Sequence, residues 1–457
     1  MMLRIAWRSL VTHPVRATVL AGGFGLGIAV MAALLGVGEV ILDQAHSPAL
    51  AGGGDVAISG AFGAVESARF LMTGVLGAAD VAPSLKAVAP SRKARLYLLS
   101  PHGPIGITAR GGIPSLEKAV GDAEVLPVAA WADAPGDHAW VRPEAGDVLR
   151  AMDRFHAVPT SDPKWTSSWA EWLYFNGRSR DGRTRLYLTF LVGPPTSRGR
   201  RAAGVRLQLD HDGKATTYSA GAEVDEATLL AHSPDLQIAG NSVRLEGFTY
   251  RIDLKLGALS GQLTLEGPVG RSMPPAIIRG NGGWVSGYVV PVLSGTMQGR
   301  LDTGRESLVF DDGVGYHDHN WGFWEGVTWQ WGQVAHDTLS IVYGRVFPPT
   351  EVADPSRVPG FLAVLGPNGP LGFSTNVSID DRSLGRVAVR ARGSTLDLQL
   401  TFKVGDTVDT KMALTQAPAD RPMRFLQMGG EFRAMGTVAG RQIDFSSRGA
   451  AETFRTR

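Results

Sequence analysis

From about residue 150 to the C-terminus, apolar and polar residues alternate with a period of two. Phe248, Tyr250, Ile252 and Leu254 alternate with Thr249, Arg251, Asp253 and Lys255, and Leu396, Leu398, Leu400, Phe402 and Val404 repeat the pattern later. Successive side chains of a strand point to opposite faces, so the pattern predicts half-buried strands with one face on a core. Asp181-Gly182, Asp212-Gly213, Asp312-Gly313 and Asn368-Gly369 punctuate these runs and predict hairpin turns. One small barrel takes roughly 150 residues, and the alternation continues for about twice that. The chain is therefore expected to be mainly β, with two consecutive antiparallel barrels or sandwiches divided near residue 300. Closure of each sheet would also hide the strand edges.

Composition agrees. Of 457 residues, 58 are Gly and 27 are Pro, and only 19% are charged, which suits short strands and tight turns. There is no cysteine, so disulfides, thiolate nucleophiles, iron–sulfur clusters and Cys-type zinc sites are excluded. The 45 basic and 43 acidic residues are spread along the chain with no basic block, and no nucleic-acid partner is expected. No cofactor is implied, and any chemistry falls to oxygen, imidazole and indole groups.

Ala17 to Gly38 is a run of 22 uncharged residues, long enough as a helix to cross about 30 Å of hydrocarbon. Arg4, Arg8 and Arg16 precede it and Glu39 and Asp43 follow, which predicts a cytoplasmic N-terminus. The expectation is a single-pass anchor in the cytoplasmic (inner) membrane with the bulk of the chain on the periplasmic side. Ala49-Leu50-Ala51 has the form of a signal cleavage site, but the run exceeds the 7–15 apolar residues of a secretory signal. Gly23 and Gly27 form a GxxxG pair able to seat a second helix. The opening, with Leu3-Arg4-Ile5-Ala6-Trp7-Arg8-Ser9-Leu10, His13-Pro14-Val15-Arg16 and Gly54-Asp55-Val56, resembles the first helix of FtsX/MacB/LolE-type ABC-transporter permeases. That resemblance implies association with ABC-transporter subunits, although no second apolar run of comparable length follows.

The domain expectation is a permease-like anchor over 1–45, a small extracytoplasmic α/β segment or linker over 46–130, a first barrel over 131–300 and a second over 301–457. In the α/β segment Ala64, Ala68, Leu71 and Val75 share a helical face, and Arg95 to Leu99 reads as a strand. Trp131 to His138 is polar and turn-rich, as a boundary should be.

Two aromatic motifs carry the chemistry. In Glu171-Trp172-Leu173-Tyr174-Phe175-Asn176-Gly177, a strand places Trp172, Tyr174 and Asn176 on one face and Glu171, Leu173 and Phe175 on the other. The second runs Gly315-Tyr316-His317-Asp318-His319-Asn320-Trp321-Gly322-Phe323-Trp324, with Trp329 and Trp331 close behind. Together with Trp284, it holds five of the eleven tryptophans. Apolar walls with a few placed polar groups suit a small-molecule pocket. Two alternatives stand beside that reading. His317 and His319 have a metal-ligand spacing, for which His336 and Asp337 are the available third ligands. Equally, His317 and Asp318 can bond backbone while the indoles fill a core.

These two motifs, with the glycine-rich strands around Gly436 to Ala450, resemble the carotenoid 1,2-hydratase family and its AttH-type relatives over residues 150 to 457. The resemblance implies two lipocalin-like barrels in tandem. Leu173 departs from it, since relatives often carry an aromatic there.

Three functions follow, the last a structural one in which the barrels are a periplasmic scaffold contacting a transporter and the aromatic cluster is wholly core. The first is a membrane-anchored carrier of an apolar, lipid- or isoprenoid-like molecule beside an ABC-type exporter. The second is a hydratase or cyclase acting on an isolated double bond. In the second, Asp318 is the acid, His317 or His319 orients water and Tyr316 donates a hydrogen bond. The indoles of Trp321, Trp324 or Trp172 stabilise a cation. Trp329, Trp331, Tyr174 and Glu171 complete the expected ligand wall. The two motifs are expected in different barrels, which places the pocket at their junction.

Overall fold

The computed structural model describes residues 84–100, 103–121, 130–137 and 145–456, apart from 160, 198, 268–270, 368, 384 and 411–422, together with Thr12, Val15, Val56 and Met72. The expected membrane span at 17–38 lies outside the described residues, and of the expected helix at 64–76 only Met72 is described. Among the described residues no helix is long and apolar enough to cross a membrane.

The chain divides into two compact units, Met1–Val65 with Ser84–Val141 and Glu66–Pro83 with Arg142–Arg457. In the first, β1 (Ser91–Ser100) and β2 (Gly103–Gly112) pair as an antiparallel hairpin, so the strand expected at Arg95 to Leu99 is present. The short helix α1 (Pro114–Ala119) follows, started by a proline whose missing N–H would have no helical partner anyway. The Ser115 amide in its first turn donates to Asp133 at 2.8 Å.

The second unit opens with α2 (Ala145–Met152) and α3 (Pro163–Thr166). Val148, Leu149 and Met152 form the buried stripe of α2. There follow β3 (Trp169–Arg178), β4 (Thr184–Ser197), β5 (Arg200–His211), β6 (Lys214–Asp225), the helix α4 (Glu226–His232), β7 (Leu236–Ile238) and β8 (Asn241–Glu246). Next come β9 (Thr249–Leu256), β10 (Leu259–Glu266), β11 (Met273–Arg279), β12 (Val285–Asp302) and β13 (Ser307–Phe323). These strands form one sheet in the order β6-β5-β4-β3-β13-β12-β10-β9-β8-β7, with β11 also on β12. The sheet curls until β6 and β7 approach each other.

The last third supplies β14 (Thr328–His336), β15 (Leu339–Phe347), β16 (Phe361–Gly366), β17 (Gly369–Ser374), β18 (Asn376–Ser383), β19 (Arg386–Arg392), β20 (Leu396–Thr410), β21 (Met423–Val438) and β22 (Arg441–Thr456). Their order is β17-β16-β15-β14-β22-β21-β20-β19-β18. The result is two nearly closed antiparallel barrels in tandem, the architecture that the alternation predicts. Tyr250, Ile252 and Leu254 are buried in the first core, and Leu398, Leu400 and Phe402 in the second.

The division between barrels is not near residue 300. β13, expected to open the second barrel, inserts between β3 and β12 and completes the first. Local periodicity cannot show this, because the pairing joins residues far apart in sequence. Asp312-Gly313, expected as a hairpin, instead lies within β13, where the register to β12 slips and Asp312 takes a φ of 50°. It is a bulge, and Gly313 is required because a Cβ there would stand 2.6 Å from the Arg178 carbonyl oxygen. Asp212-Gly213 does form the expected turn between β5 and β6, with φ of 51° and 77°.

Side chains occupy both lumens. Trp169, Phe175, Phe190 and Tyr250 fill the first and Tyr343, Phe402 and Phe432 the second, all below 2% exposure.

Candidate active site

Both aromatic motifs lie side by side in the first barrel. β13 pairs with β3 without a break from Val314↔Arg178 to Phe323↔Trp169, so Asp318 stands opposite Tyr174 and Trp321 opposite Glu171. With no bulge in this stretch, side chains alternate strictly between two faces. The expectation of motifs in separate barrels is corrected, and the second motif is split in two.

The inner face carries His317, His319 and Trp321. His319 Nδ1 lies 2.8 Å from Asp153 and its Nε2 lies 3.0 Å from Glu171, all three fully buried. His317 Nε2 lies 3.1 Å from the other Asp153 oxygen, which also accepts from the Tyr250 hydroxyl at 2.7 Å. Glu171 is bonded in addition by the ring Nδ1 of His156, at 2.7 Å, and by its backbone N–H. Burial by itself would raise both carboxyls, but the histidines hold Asp153 and Glu171 below the usual range. Burial likewise opposes charging of His319, and its two carboxylate partners overcome this and push it up to about 9.

This cluster is an ion-paired hydrogen-bond network. Donor atoms of His156, Glu171 and His319 all lie within 4.8 Å of one another, a set that could hold a metal. A tetrahedral metal with bonds of about 2.1 Å keeps its ligands about 3.4 Å apart. The contacts here are shorter, at 2.7 and 3.0 Å, which is the spacing of shared protons. The third ligand expected at His336 and Asp337 is elsewhere, since His336 stacks on Phe445 in the second barrel.

The outer face carries Tyr316, Asp318 and Asn320, and it looks onto β14 and β22 of the second barrel. Asp318 Oδ2 accepts from the Tyr316 hydroxyl and Oδ1 from the Asn320 amide, both at 2.7 Å. Tyr316 lies 2.8 Å from the Tyr288 hydroxyl, which accepts from Trp331 Nε1 at 3.1 Å. The Tyr316 proton is directed at Asp318, so the chain runs Trp331 to Tyr288 to Tyr316 to Asp318. Burial raises the Asp318 carboxyl well above its ordinary value; the charge of Glu452 adds to this, while the Tyr316 bond works against it. Glu452 accepts from Trp329 Nε1 at 3.0 Å and from Gln427 at 3.1 Å, and burial raises its carboxyl too. Trp172 packs on Trp324 at 4.5 Å, and Trp329 on Phe454 at 4.6 Å.

The two faces differ in access. His317 and His319 are 0% exposed, whereas Asp318 keeps 4% and Tyr288, Asn320, Trp329 and Glu452 are only half-buried. Of the expected residues, Asp318, Tyr316, Tyr174, Trp172, Trp324, Trp329 and Trp331 belong to the junction. His317, His319, Glu171 and Trp321 do not; Trp321 stacks on His156 at 4.3 Å. The strand thus sets the histidines and Trp321 on the face opposite Asp318. Asp153, His156, Tyr250, Tyr288 and Glu452 were not legible as site residues. A cleft of about 650 Å³ at one end of the first barrel, lined by Val158, Pro159, Pro195, Glu226 and Leu230, includes none of the motif residues.

No known family profile matches the chain, and no curated protein matches it at a significant level. Among solved structures it is similar to kievitone hydratase from Nectria haematococca, with 14% identity over 67% of this chain and 94% of that one, at a TM-score of 0.42. It is also similar to CghA in complex with Sch210972, with 11% identity over 67% of this chain and 95% of that one, at a TM-score of 0.44. At this distance the function has to be argued from the site.

Proposed function

We propose that the protein is a hydratase or cyclase that protonates an isolated double bond of a largely apolar substrate at the junction of its two barrels. One observation carries the reading: Asp318 is buried beside a wall of indoles, and that burial raises its carboxyl well above the ordinary value although Tyr316 and Asn320 both donate to it. Protonating carbon requires a neutral acid delivered where water is scarce.

In the step proposed, the Asp318 O–H bond breaks, and the alkene π pair takes that proton to form a C–H bond. The adjacent carbon becomes cationic. Faces of Trp331, Trp329 and Trp172 can stabilise this charge by about 2 kcal/mol when desolvated. Water then forms the C–O bond and gives its proton to Glu452, whose raised basicity suits that task. In a cyclase the same cation is captured by a second double bond of the substrate, and the new cation so formed loses a proton to Glu452. Glu452 gains the proton that Asp318 loses, so the cycle closes when that proton is returned.

The apolar N-terminal run would hold this activity at a membrane. The carrier reading has no site observation of this kind behind it.

Infrared spectroscopy of the carboxyl C=O stretch tests the acid. A protonated band at neutral pH that disappears in Asp318→Asn supports the reading, and an ionised Asp318 at neutral pH overturns it. Conversion of farnesol in water labelled with heavy oxygen, with the label retained in the product, would demonstrate hydration directly.

A further inference from the structure

Like charges meet where the end of β3 approaches the second barrel. Arg178, the last residue of β3, and Arg185, near the start of β4, are cross-strand partners, so both side chains leave the same face of the first sheet. Arg185 Nη1 reaches across to Asp406 on β20, at 3.0 Å. Arg448 on β22 reaches the other way. Its Nη1 comes within 3.5 Å of where a Cβ on Gly182 would stand, and Gly182 lies in the turn that joins Arg178 to Arg185. Three guanidinium groups, drawn from both barrels, thus gather around one hairpin.

The nearby acids leave this cluster uncompensated. Asp406 and the cross-strand Asp210 both lie on the Arg185 side. Glu431 stands opposite Arg448 on β21, yet among the described residues neither Arg448 nor Arg178 has an ion-pair partner. Arg178 is half-buried all the same. Burial and the charges of Arg185 and Arg448 push its guanidinium below the ordinary value, and no carboxylate opposes them. Like charges directly opposite each other on a sheet are destabilising, and so is a partly desolvated cation without a partner. A bound anion would offset both costs.

We propose that Arg178, Arg185 and Arg448 form a phosphate site at the seam between the barrels, where one phosphate group bridges β3 and β4 to β22. Guanidinium forks match phosphate oxygens in pairs, and a phosphate monoester carries close to two negative charges at neutral pH. Inorganic phosphate and the head group of a phosphatidic acid present this same chemistry. The approach is open, since Arg448 is exposed and Val314, which stands opposite Arg178, is 41% exposed. The site is separate from the acid. Tyr174 is the residue opposite Asp318, and Arg178 lies about 13 Å further along β3 at the usual rise of a strand.

Isothermal titration of the full chain with inorganic phosphate, at constant ionic strength in chloride, tests this. Saturable binding of one phosphate per chain is expected. Arg178→Gln and Arg448→Gln, checked for unchanged circular dichroism, should each weaken it about tenfold, as loss of one charge-assisted bond gives. Arg448 is a surface residue, so its variant keeps the test open even if Arg178→Gln does not fold. Titration with short-chain phosphatidic acid sorts the source: tighter binding than phosphate assigns the site to a lipid head group, and equal or weaker binding assigns it to the free ion. Absence of saturable binding by either probe overturns the site, as does wild-type affinity in the folded variants.

Discussion

His317 and Asp318 are adjacent in sequence and serve separate compartments: His317 Nε2 lies 3.1 Å from Asp153 inside the first barrel, and Asp318 accepts from Tyr316 on the face towards the second. Strand alternation makes this unavoidable, and it separates a structural ion-pair network from a candidate acid site. The two can therefore be perturbed independently.

Asp318→Asn should abolish the acid while leaving the fold intact or firmer. A carboxyl whose folded value is raised destabilises the native state at pH above its unfolded value, since the unfolded chain can ionise and the folded one resists. Asparagine removes that cost. Turnover is expected to fall by about 10²–10⁴-fold with no drop in the denaturation midpoint, measured by product formation and urea unfolding.

Asp153→Ala should do the reverse. It leaves His317, His319 and the Tyr250 hydroxyl without their common partner in a site with no solvent exposure. A loss of about 3–5 kcal/mol is expected from equilibrium unfolding. A loss below 1 kcal/mol would mean that the network adds little to stability.

Stability should have an alkaline limb set by His319. Its raised value means that its contribution is complete below about pH 6.5 and is lost as pH rises through about 9, a change of roughly 3 kcal/mol. Asp153 and Glu171 are lowered, so their contribution is present above the ordinary carboxylate range and lost as pH falls through their folded values. Urea midpoints across the pH range should show both limbs, and His319→Gln should flatten the alkaline one.

Gly287→Ala should displace Trp321. These residues are cross-strand partners, and a Cβ on Gly287 would stand 2.1 Å from the indole Cε2. The ring must leave its stack on His156, at a cost of about 1–3 kcal/mol. Thermal unfolding reads the cost, and tryptophan emission reads the displacement.

Barrel architecture was legible because it depends on short-range information. Alternation at Tyr250, Ile252 and Leu254 and the Asp212-Gly213 turn each act over a few residues, and the structure has both. Asp312-Gly313 misled because a bulge and a hairpin use the same residue types at positive φ. Asp318 was readable as a candidate, since with Tyr316 and the following indoles it forms a local motif. Glu452 and Tyr288 gave no such signal: Glu452 enters from β22, far along the chain, and Tyr288 comes from the adjoining β12, and each is an ordinary strand residue in its own surroundings.

The sequence by itself determined that the chain is mainly β and built as two barrels, and which side chains of β3 and β13 share a face, because a period of two is a property of the backbone. Only the tertiary structure decided what each face meets. Packing of β13 between β3 and β12 buries the histidines against Asp153 and turns Asp318 towards Glu452. Those partners stand more than a hundred residues away, and the burial and pairing that shift their carboxyls exist only once the chain has closed.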